Sequence, residues 1–98
     1  MLHVLWEYDV RPGMEAAFEA LYGVDGAWAA LFGEFAGYAG TELLRGEAPG
    51  RYLSIDRWTS EAAYDAFLAN AGARYAAIDA KGDALTTDER KIGRFTTC

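Results

Sequence analysis

Residues 41–58, TELLRGEAPGRYLSIDRW, decide the fold because they predict two strands joined by a tight turn. In residues 51–58 the apolar Leu53 and Ile55 alternate with more polar neighbours, which is the period of a strand. Residues 41–45 form a shorter strand-like run, and the intervening GEAPG has the glycine and proline content of a turn. The stretch therefore predicts a β-hairpin in the middle of the chain.

On the N-terminal side of this hairpin, the sequence predicts a strand followed by helical pieces. Residues 2–10, LHVLWEYDV, alternate with a period of two. Pro12 and Gly13 stop this strand and open a helix over residues 14–22. A second short helical stripe covers residues 28–35, after a glycine-containing interruption.

On the C-terminal side, Ser60 is the expected N-cap of a helix. Apolar residues recur at helical spacing from Tyr64 to Ile78, and residues 70–72 are a point where this helix would loosen. Residues 91–97 are expected to form the last strand.

The order of these elements predicts an α+β, ferredoxin-like βαββαβ fold: a four-stranded antiparallel sheet with helices on one face. With 98 residues, the chain is expected to form one domain spanning residues 1–98. The other sheet face would carry apolar residues such as Leu5 and lack a cover. A second copy of the chain can cover it, so we expect a homodimer joined through the open sheet faces.

The composition excludes several classes of partner and cofactor. Nine basic against fifteen acidic residues give a net charge of −6, which argues against nucleic acid and anionic membranes as partners. His3 and Cys98 are the only residues of their types, so we expect no disulfide and no metal site. No signal peptide or membrane-spanning run is visible, and a cytoplasmic location is expected.

Three motifs carry a likeness to a known family: VRPG at 10–13 after the first strand, GYAGTELLR at 37–45, and IDRWTSEAAY at 55–64. Together they resemble the antibiotic-biosynthesis-monooxygenase domain, which has a dimeric α+β barrel fold. The resemblance implies that the protein oxygenates a small aromatic or polyketide-like compound with dioxygen, without a cofactor or metal.

Other relatives in this family degrade haem with an Asn on the first strand and a Trp and a His on the second helix. In this chain Trp6 stands where that Asn would be, and Phe67 where that Trp would be. No histidine occurs after His3. The resemblance therefore does not extend to haem degradation, and no haem is expected.

Aromatic residues are the candidates for binding a small aromatic molecule. Trp6 and Tyr8 share one strand face, and if that face meets the helices they border helical aromatic rings in a cleft. Trp58, at the strand–helix junction, would line the mouth of the cleft or pin the helix to the sheet. The candidate residues are Trp6, Tyr8, Phe32, Trp58, Tyr64, Phe67 and Tyr75. The same pattern is also compatible with a plain hydrophobic core.

The catalytic base is left undetermined by the sequence. His3 has the opposite strand parity to Trp6, which favours a surface or interface position. Glu7 and Asp56 are expected to be neighbours on the uncovered sheet face, where pairing with arginine is the first interpretation and a general base the alternative. An enzyme, a binding module without turnover and a purely structural dimer therefore all remain open.

Overall fold

Four strands and four helices follow one another in the structure, a computed structural model that describes residues 1–98. The strands are β1 (Leu2–Val10), β2 (Tyr38–Arg45), β3 (Arg51–Trp58) and β4 (Thr86–Thr96). The helices are α1 (Glu15–Tyr22), α2 (Ala27–Phe32), α3 (Glu61–Asn70) and α4 (Gly72–Asp83). None of these helices has the combination of length and apolar character that a membrane crossing requires.

The strands form one antiparallel sheet in the order β2-β3-β1-β4, which confirms the predicted ferredoxin-like α+β fold. The even-numbered residues of β1 and β3 face the helices, and most of them, such as Val4, Tyr8 and Tyr52, are buried. The odd-numbered residues therefore lie on the opposite face, because side chains alternate along a strand.

Two boundaries differ from the prediction. Strand β4 begins at Thr86 rather than at residue 91, because pairing with β1 extends as far as Val10. The added residues TTDER are polar and have no apolar alternation, so only the tertiary pairing reveals them as strand. The predicted long helix is two helices, α3 and α4, and the break falls within residues 70–72, where the sequence predicted that the helix would loosen; the φ of Gly72 is +54°. Glycine adopts that conformation without the steric cost of a Cβ.

The core is an aromatic cluster between the sheet and the helices. Fourteen buried residues form it, and Trp58, Phe18, Phe67 and Val4 are its most completely buried members.

The start of α3 is fixed as predicted, since Ser60 Oγ accepts a hydrogen bond of 3.1 Å from the backbone N–H of Ala63. A cap of this kind contributes about 1 kcal/mol to stability.

The open face of the sheet carries an apolar band beside a network of ion pairs. The band consists of odd-numbered residues of β1 and β3 with neighbours from the outer strands: Leu5, Leu44, Leu53, Ile55 and Phe95. In the network, Arg90 contacts Glu7 at 2.9 Å and Asp9 at 3.0 Å, and Arg51 contacts Asp9 at 2.7 Å.

Candidate functional site

A narrow cavity lies between the helix-facing side of the sheet and the helices. Its volume is about 540 Å³, which includes space open to solvent. Every strand except β2 and every helix contributes to the wall. The lining residues are Trp6, Tyr8, Tyr22, Trp28, Phe32, Ser54, Asp56, Tyr64, Phe67, Tyr75, Asp79 and Glu89.

The structure brings together six of the seven residues that the sequence suggested. Those lining the cavity are Trp6, Tyr8, Phe32, Tyr64, Phe67 and Tyr75. Trp58 is absent from the wall and is completely buried. Its ring packs 5.3 Å from Phe67 and 5.5 Å from Tyr38 between ring centroids, so it joins α3 to the sheet.

The aromatic walls are held in place by edge-to-face contacts. The rings of Trp28 and Tyr75 meet at 71° with centroids 4.9 Å apart, and Phe32 meets Phe67 at 79° and 5.0 Å. Each such pair contributes about 0.5–1.5 kcal/mol beyond its area burial. The rings are therefore preorganised around the cavity rather than free to collapse into it.

Asp56 is a residue of the cavity wall that the sequence interpretation misplaced. It was expected beside Glu7 on the open face, but it lies opposite Val4 of β1 and shares the helix-facing side with Ser54. Glu7 lies on the open face, paired with Arg90. The expectation was wrong because the strong apolar residues Leu53 and Ile55 of β3 face outward. Their hydrophobicity therefore does not mark the core side of this strand.

Hydrogen bonds connect Asp56 to a neighbouring strand. Thr41 Oγ1 donates to Asp56 Oδ1 at 2.8 Å, and the hydroxyl of Tyr38 lies 2.6 Å from Thr41 Oγ1. Because a threonine hydroxyl has only one proton, Tyr38 must donate to Thr41 when Thr41 donates to Asp56. The result is a chain of three groups that leads from the cavity to the partly buried Tyr38.

Burial raises the pKa of Asp56 from 3.8 to about 6, and the hydrogen bond from Thr41 opposes part of this rise. A carboxyl group whose pKa approaches neutrality can both accept and release a proton under physiological conditions. Burial also raises the pKa of Tyr64 to about 12 and shifts the pKa of Tyr8 upward. These phenols therefore stay protonated at neutral pH and act as donors rather than bases.

The far end of the cavity is acidic. Carboxylate oxygens of Asp79, Asp83 and Glu89 lie within 4.8 Å of one another, where α4 meets the start of β4. Burial first, and neighbouring carboxylates second, raise the pKa of Asp79 and of Glu89. The sequence interpretation did not identify this cluster. Asp79 and Asp83 are four residues apart, a spacing that places them on the same face of a helix. Glu89 joins them only because β4 begins five residues earlier than predicted.

His3 lies outside the cavity, on the other side of the sheet. Its Nε2 is 2.8 Å from Thr97 Oγ1, next to the paired ends of β1 and β4. It pairs in register with Phe95, a residue of the open face. His3 therefore cannot exchange a proton with a molecule bound in the cavity.

Comparisons with known proteins agree with this fold. The family model for antibiotic biosynthesis monooxygenase matches residues 1–77. A crystal structure of SnoaB, a cofactor-independent oxygenase from Streptomyces nogalater, is 25% identical with a TM-score of 0.78, covering 99% of this chain and 92% of that one. No curated protein sequence matches.

Two further solved structures share the fold. A Bordetella bronchiseptica protein, whose name also refers to antibiotic biosynthesis monooxygenases, is 22% identical with a TM-score of 0.75, covering 99% of this chain and 96% of that chain. PA3566 from Pseudomonas aeruginosa is 16% identical with a TM-score of 0.68 over 99% and 93%. The family model spans most of the chain, and the resemblance found in the three sequence motifs is confirmed. The chain belongs to the antibiotic biosynthesis monooxygenase family.

Proposed function

We propose that the protein is a cofactor-independent monooxygenase that acts on a small aromatic or polyketide-like compound. The observation that carries this proposal is the position of Asp56, a partly buried carboxyl group with a raised pKa in the wall of an aromatic cavity. Likeness to SnoaB, described as a cofactor-independent oxygenase, supports the same reaction type. The candidate binding residues are the six aromatic side chains that the sequence suggested and that line the cavity.

In the proposed reaction, Asp56 removes a proton from an activated CH₂ group of a phenolic substrate. The resulting anion is electron-rich enough to reduce dioxygen directly. One oxygen atom remains on the carbon as a carbonyl, and the other leaves as water with the two hydrogens of the CH₂ group. The substrate supplies all the electrons, so the reaction balances without an external reductant.

The neighbouring hydroxyls have supporting roles in this proposal. The Thr41 hydroxyl holds Asp56 Oδ1 at 2.8 Å, which leaves Oδ2 for the substrate. After proton transfer, Asp56 returns its proton to the oxygen atom that leaves as water, and the hydrogen bonds from Tyr38 to Thr41 and from Thr41 to Asp56 hold the carboxyl group in place. The protonated phenols of Tyr8 and Tyr64 orient the oxygen atoms of the substrate.

Replacement of Asp56 by Asn tests the base directly. The amide keeps the acceptor for Thr41 but cannot take a proton, so oxygen uptake with an anthrone should fall by about 10²–10⁴-fold. Binding of the anthrone, followed by quenching of tryptophan emission, should change little. The control is Asp25→Asn, which alters an exposed and unpaired carboxylate.

Full oxygen uptake by the Asp56→Asn variant would refute the base. Saturable quenching without oxygen uptake by the natural protein, across a panel of anthrones, naphthols and flavonoids, would favour the alternative of a binding module without turnover. No saturable signal at all would leave a structural role for the fold.

We also propose that residues 1–98 act as one domain and that two copies join through the open sheet faces. The apolar band defined above supports this arrangement, since Phe95 is 50% exposed and Leu44 is 40% exposed in the single chain. Burying such a band together with the flanking ion pairs stabilises a two-fold dimer. The cytoplasmic location stays a prediction.

A further inference from the structure

The wall of the cavity contains no basic side chain. Among the twelve residues that line it, none is Lys, Arg or His. In the proposed reaction, however, removal of a proton from the CH₂ group places negative charge on the oxygen atom of any ketone that is conjugated with it. A charge in an apolar cavity is costly unless donors or cations surround it. The groups of the wall that can stabilise this oxygen are therefore neutral hydrogen-bond donors.

Ser54 and Tyr8 form a pair of hydroxyl groups in this wall. Ser54 is 3% exposed and Tyr8 is 5% exposed, and their hydroxyl oxygens lie 3.4 Å apart. Neither hydroxyl makes another hydrogen bond within the protein. Burial raises the pKa of Tyr8, so its phenol keeps its proton at neutral pH. The pair is therefore a neutral, buried unit whose one internal hydrogen bond is long.

A count of protons shows what this pair can offer to a ligand. Each hydroxyl carries one proton, so the pair has two. The hydrogen bond between the two hydroxyls uses one proton, whichever oxygen donates it. The second proton has no acceptor in the protein, although both side chains line the cavity. The pair therefore has one proton available for an oxygen atom of a bound molecule.

The strand β3 fixes the position of this donor relative to the base. Ser54 and Asp56 are two residues apart and both line the cavity, so their Cα atoms are separated by about 7 Å along the strand. The ring of Tyr8 is held by Phe18 and Tyr22, whose ring centroids lie 5.1 Å and 4.9 Å away. Base and donor thus belong to rigid parts of the core, and a substrate in the cavity meets both at once.

We infer that the Tyr8–Ser54 hydroxyl pair is a catalytic donor that binds the ketone oxygen of the substrate and stabilises the negative charge formed there. This inference rests on the proposed reaction and narrows the substrate to compounds whose activated CH₂ group is conjugated with a ketone, as in an anthrone. The C–H bond breaks and its proton moves to Asp56 Oδ2. Its electron pair forms a C=C bond, and the carbonyl π pair moves onto oxygen. A preorganised donor stabilises this developing anion more than the neutral ketone.

Deletion of the two hydroxyls, singly and together, tests the pair. Tyr8→Phe and Ser54→Ala each leave one hydroxyl proton for the ligand, so each single variant should lower kcat for anthrone by less than about tenfold. The double variant has no such proton, and its kcat should fall by about 10²–10³-fold. The KM should change less, because the donor acts mainly on the anion. The matched control is Tyr52→Phe, which removes a hydroxyl outside the cavity wall and should keep the natural kcat.

A second measurement uses 9-fluorenone, a flat ketone without a CH₂ group, and does not depend on turnover. A donor at the ketone oxygen weakens the C=O bond, so the infrared stretching frequency of the ketone bound to the natural protein should be lower than in hexane. Both single variants should keep this shift, and the double variant should lose it. The double variant replaces both partners of one hydrogen bond by apolar groups, which costs little stability, so it should fold.

Several results would overturn the inference: no bound fluorenone or an unshifted carbonyl in the natural protein, a double variant that keeps the shift or a kcat within about threefold of the natural value, or a single variant as slow as the double variant. Oxygen uptake by the natural protein together with any of these results would remove the donor pair and leave Asp56 as the base. A carbonyl shift that only the double variant loses, without oxygen uptake by the natural protein, would support the pair as a ketone-binding donor and remove the enzyme proposal.

Discussion

Burial of the Asp56 carboxyl group lowers the stability of the fold, and the same group is the base in the proposed reaction. A carboxyl group in water has no reason to lose its charge at neutral pH, but burial against aromatic rings penalises the charged form. Its single hydrogen bond, from Thr41, offsets only part of that penalty. A residue that served packing alone would be apolar at this position. The carboxyl group is therefore best understood through its access to the cavity.

The Asp56→Asn variant should be more stable than the natural protein above pH 6. The folded-state pKa of about 6 lies above the ordinary 3.8, so the folded state binds more protons between these values and its stability falls as pH rises. The Asn side chain does not titrate, so the variant does not lose stability as the pH rises through this range. The difference should reach at most about 3 kcal/mol above pH 6 and vanish below about pH 4. Urea unfolding at pH 3.5, 5 and 7.5 measures it, and a constant difference across these pH values would contradict the shift.

Phe67→Ala should destabilise the protein and weaken ligand binding together. Phe67 has no exposed surface, and it contacts the rings of Phe32 and Phe35 edge-on. Truncating a buried Phe costs about 3–5 kcal/mol through lost transfer energy and the cavity left behind. The neighbouring Leu68 is 40% exposed, so Leu68→Ala should cost less than about 1 kcal/mol. Equal melting temperatures for the two variants would contradict the burial of Phe67.

At the scale of elements, α4 is the piece that completes the cavity. It begins at Gly72, after the break from α3, and this change of direction carries Tyr75 and Asp79 into the wall. The helix then packs closely against α1, because the Tyr22 hydroxyl occupies the space beside Gly82. A Cβ at Gly82 would lie 2.0 Å from that hydroxyl oxygen. The small residue therefore sets the distance between α1 and α4.

Gly82→Ala should consequently push α4 away from α1 and disturb the acidic end of the cavity. Overpacking of this kind costs about 1–3 kcal/mol, partly offset by the better helix propensity of alanine. A double-mutant cycle with Tyr22→Phe isolates the cause, since removal of the hydroxyl relieves the closest contact. The double variant should be less destabilised than the sum of the single variants. Additive unfolding free energies would show that the clash is not the cause.

At the scale of the whole molecule, the one-sided helix layer divides the sheet into two surfaces with different uses. The helix-facing side carries the aromatic core and the cavity. The open side combines the apolar band with ion pairs that join β1 to its neighbours β3 and β4. Exposed apolar bands with polar borders are typical of protein interfaces. The site and the proposed dimer contact therefore occupy opposite faces of the same strands.

The proposed dimer predicts that Ile55→Lys will produce a monomer. Ile55 lies in register with Leu5 near the middle of the apolar band, and a buried ammonium there would face its symmetry mate across a two-fold interface. Sedimentation velocity at micromolar concentration should show a dimer for the natural protein and a monomer for the variant. The matched control is Val24→Lys at a position that is 64% exposed outside the sheet. A natural protein that sediments as a stable monomer would refute the dimer.

The sequence by itself determined the fold, because its signals are local. The alternation in residues 2–10, the GEAPG turn and the Ser60 cap each depend on neighbours along the chain, and together they leave one arrangement of strands and helices. Strand parity also sufficed to put Trp6 and Tyr8 on the same side. Six of the eight aromatic residues in the cavity wall could therefore be predicted, whereas Tyr22 and Trp28 were not among the candidates and the predicted Trp58 lies outside the wall.

Only the tertiary structure decided which acidic residues belong to the site. The side that Asp56 faces depends on the register of β3 against β1, and the outward Leu53 and Ile55 gave the opposite indication. Glu89 meets Asp79 and Asp83 because β4 extends through polar residues that only pairing with β1 identifies as strand. Periodicity reports where hydrophobic side chains recur, whereas a carboxylate takes its role from the groups that folding places around it and from the water that folding removes.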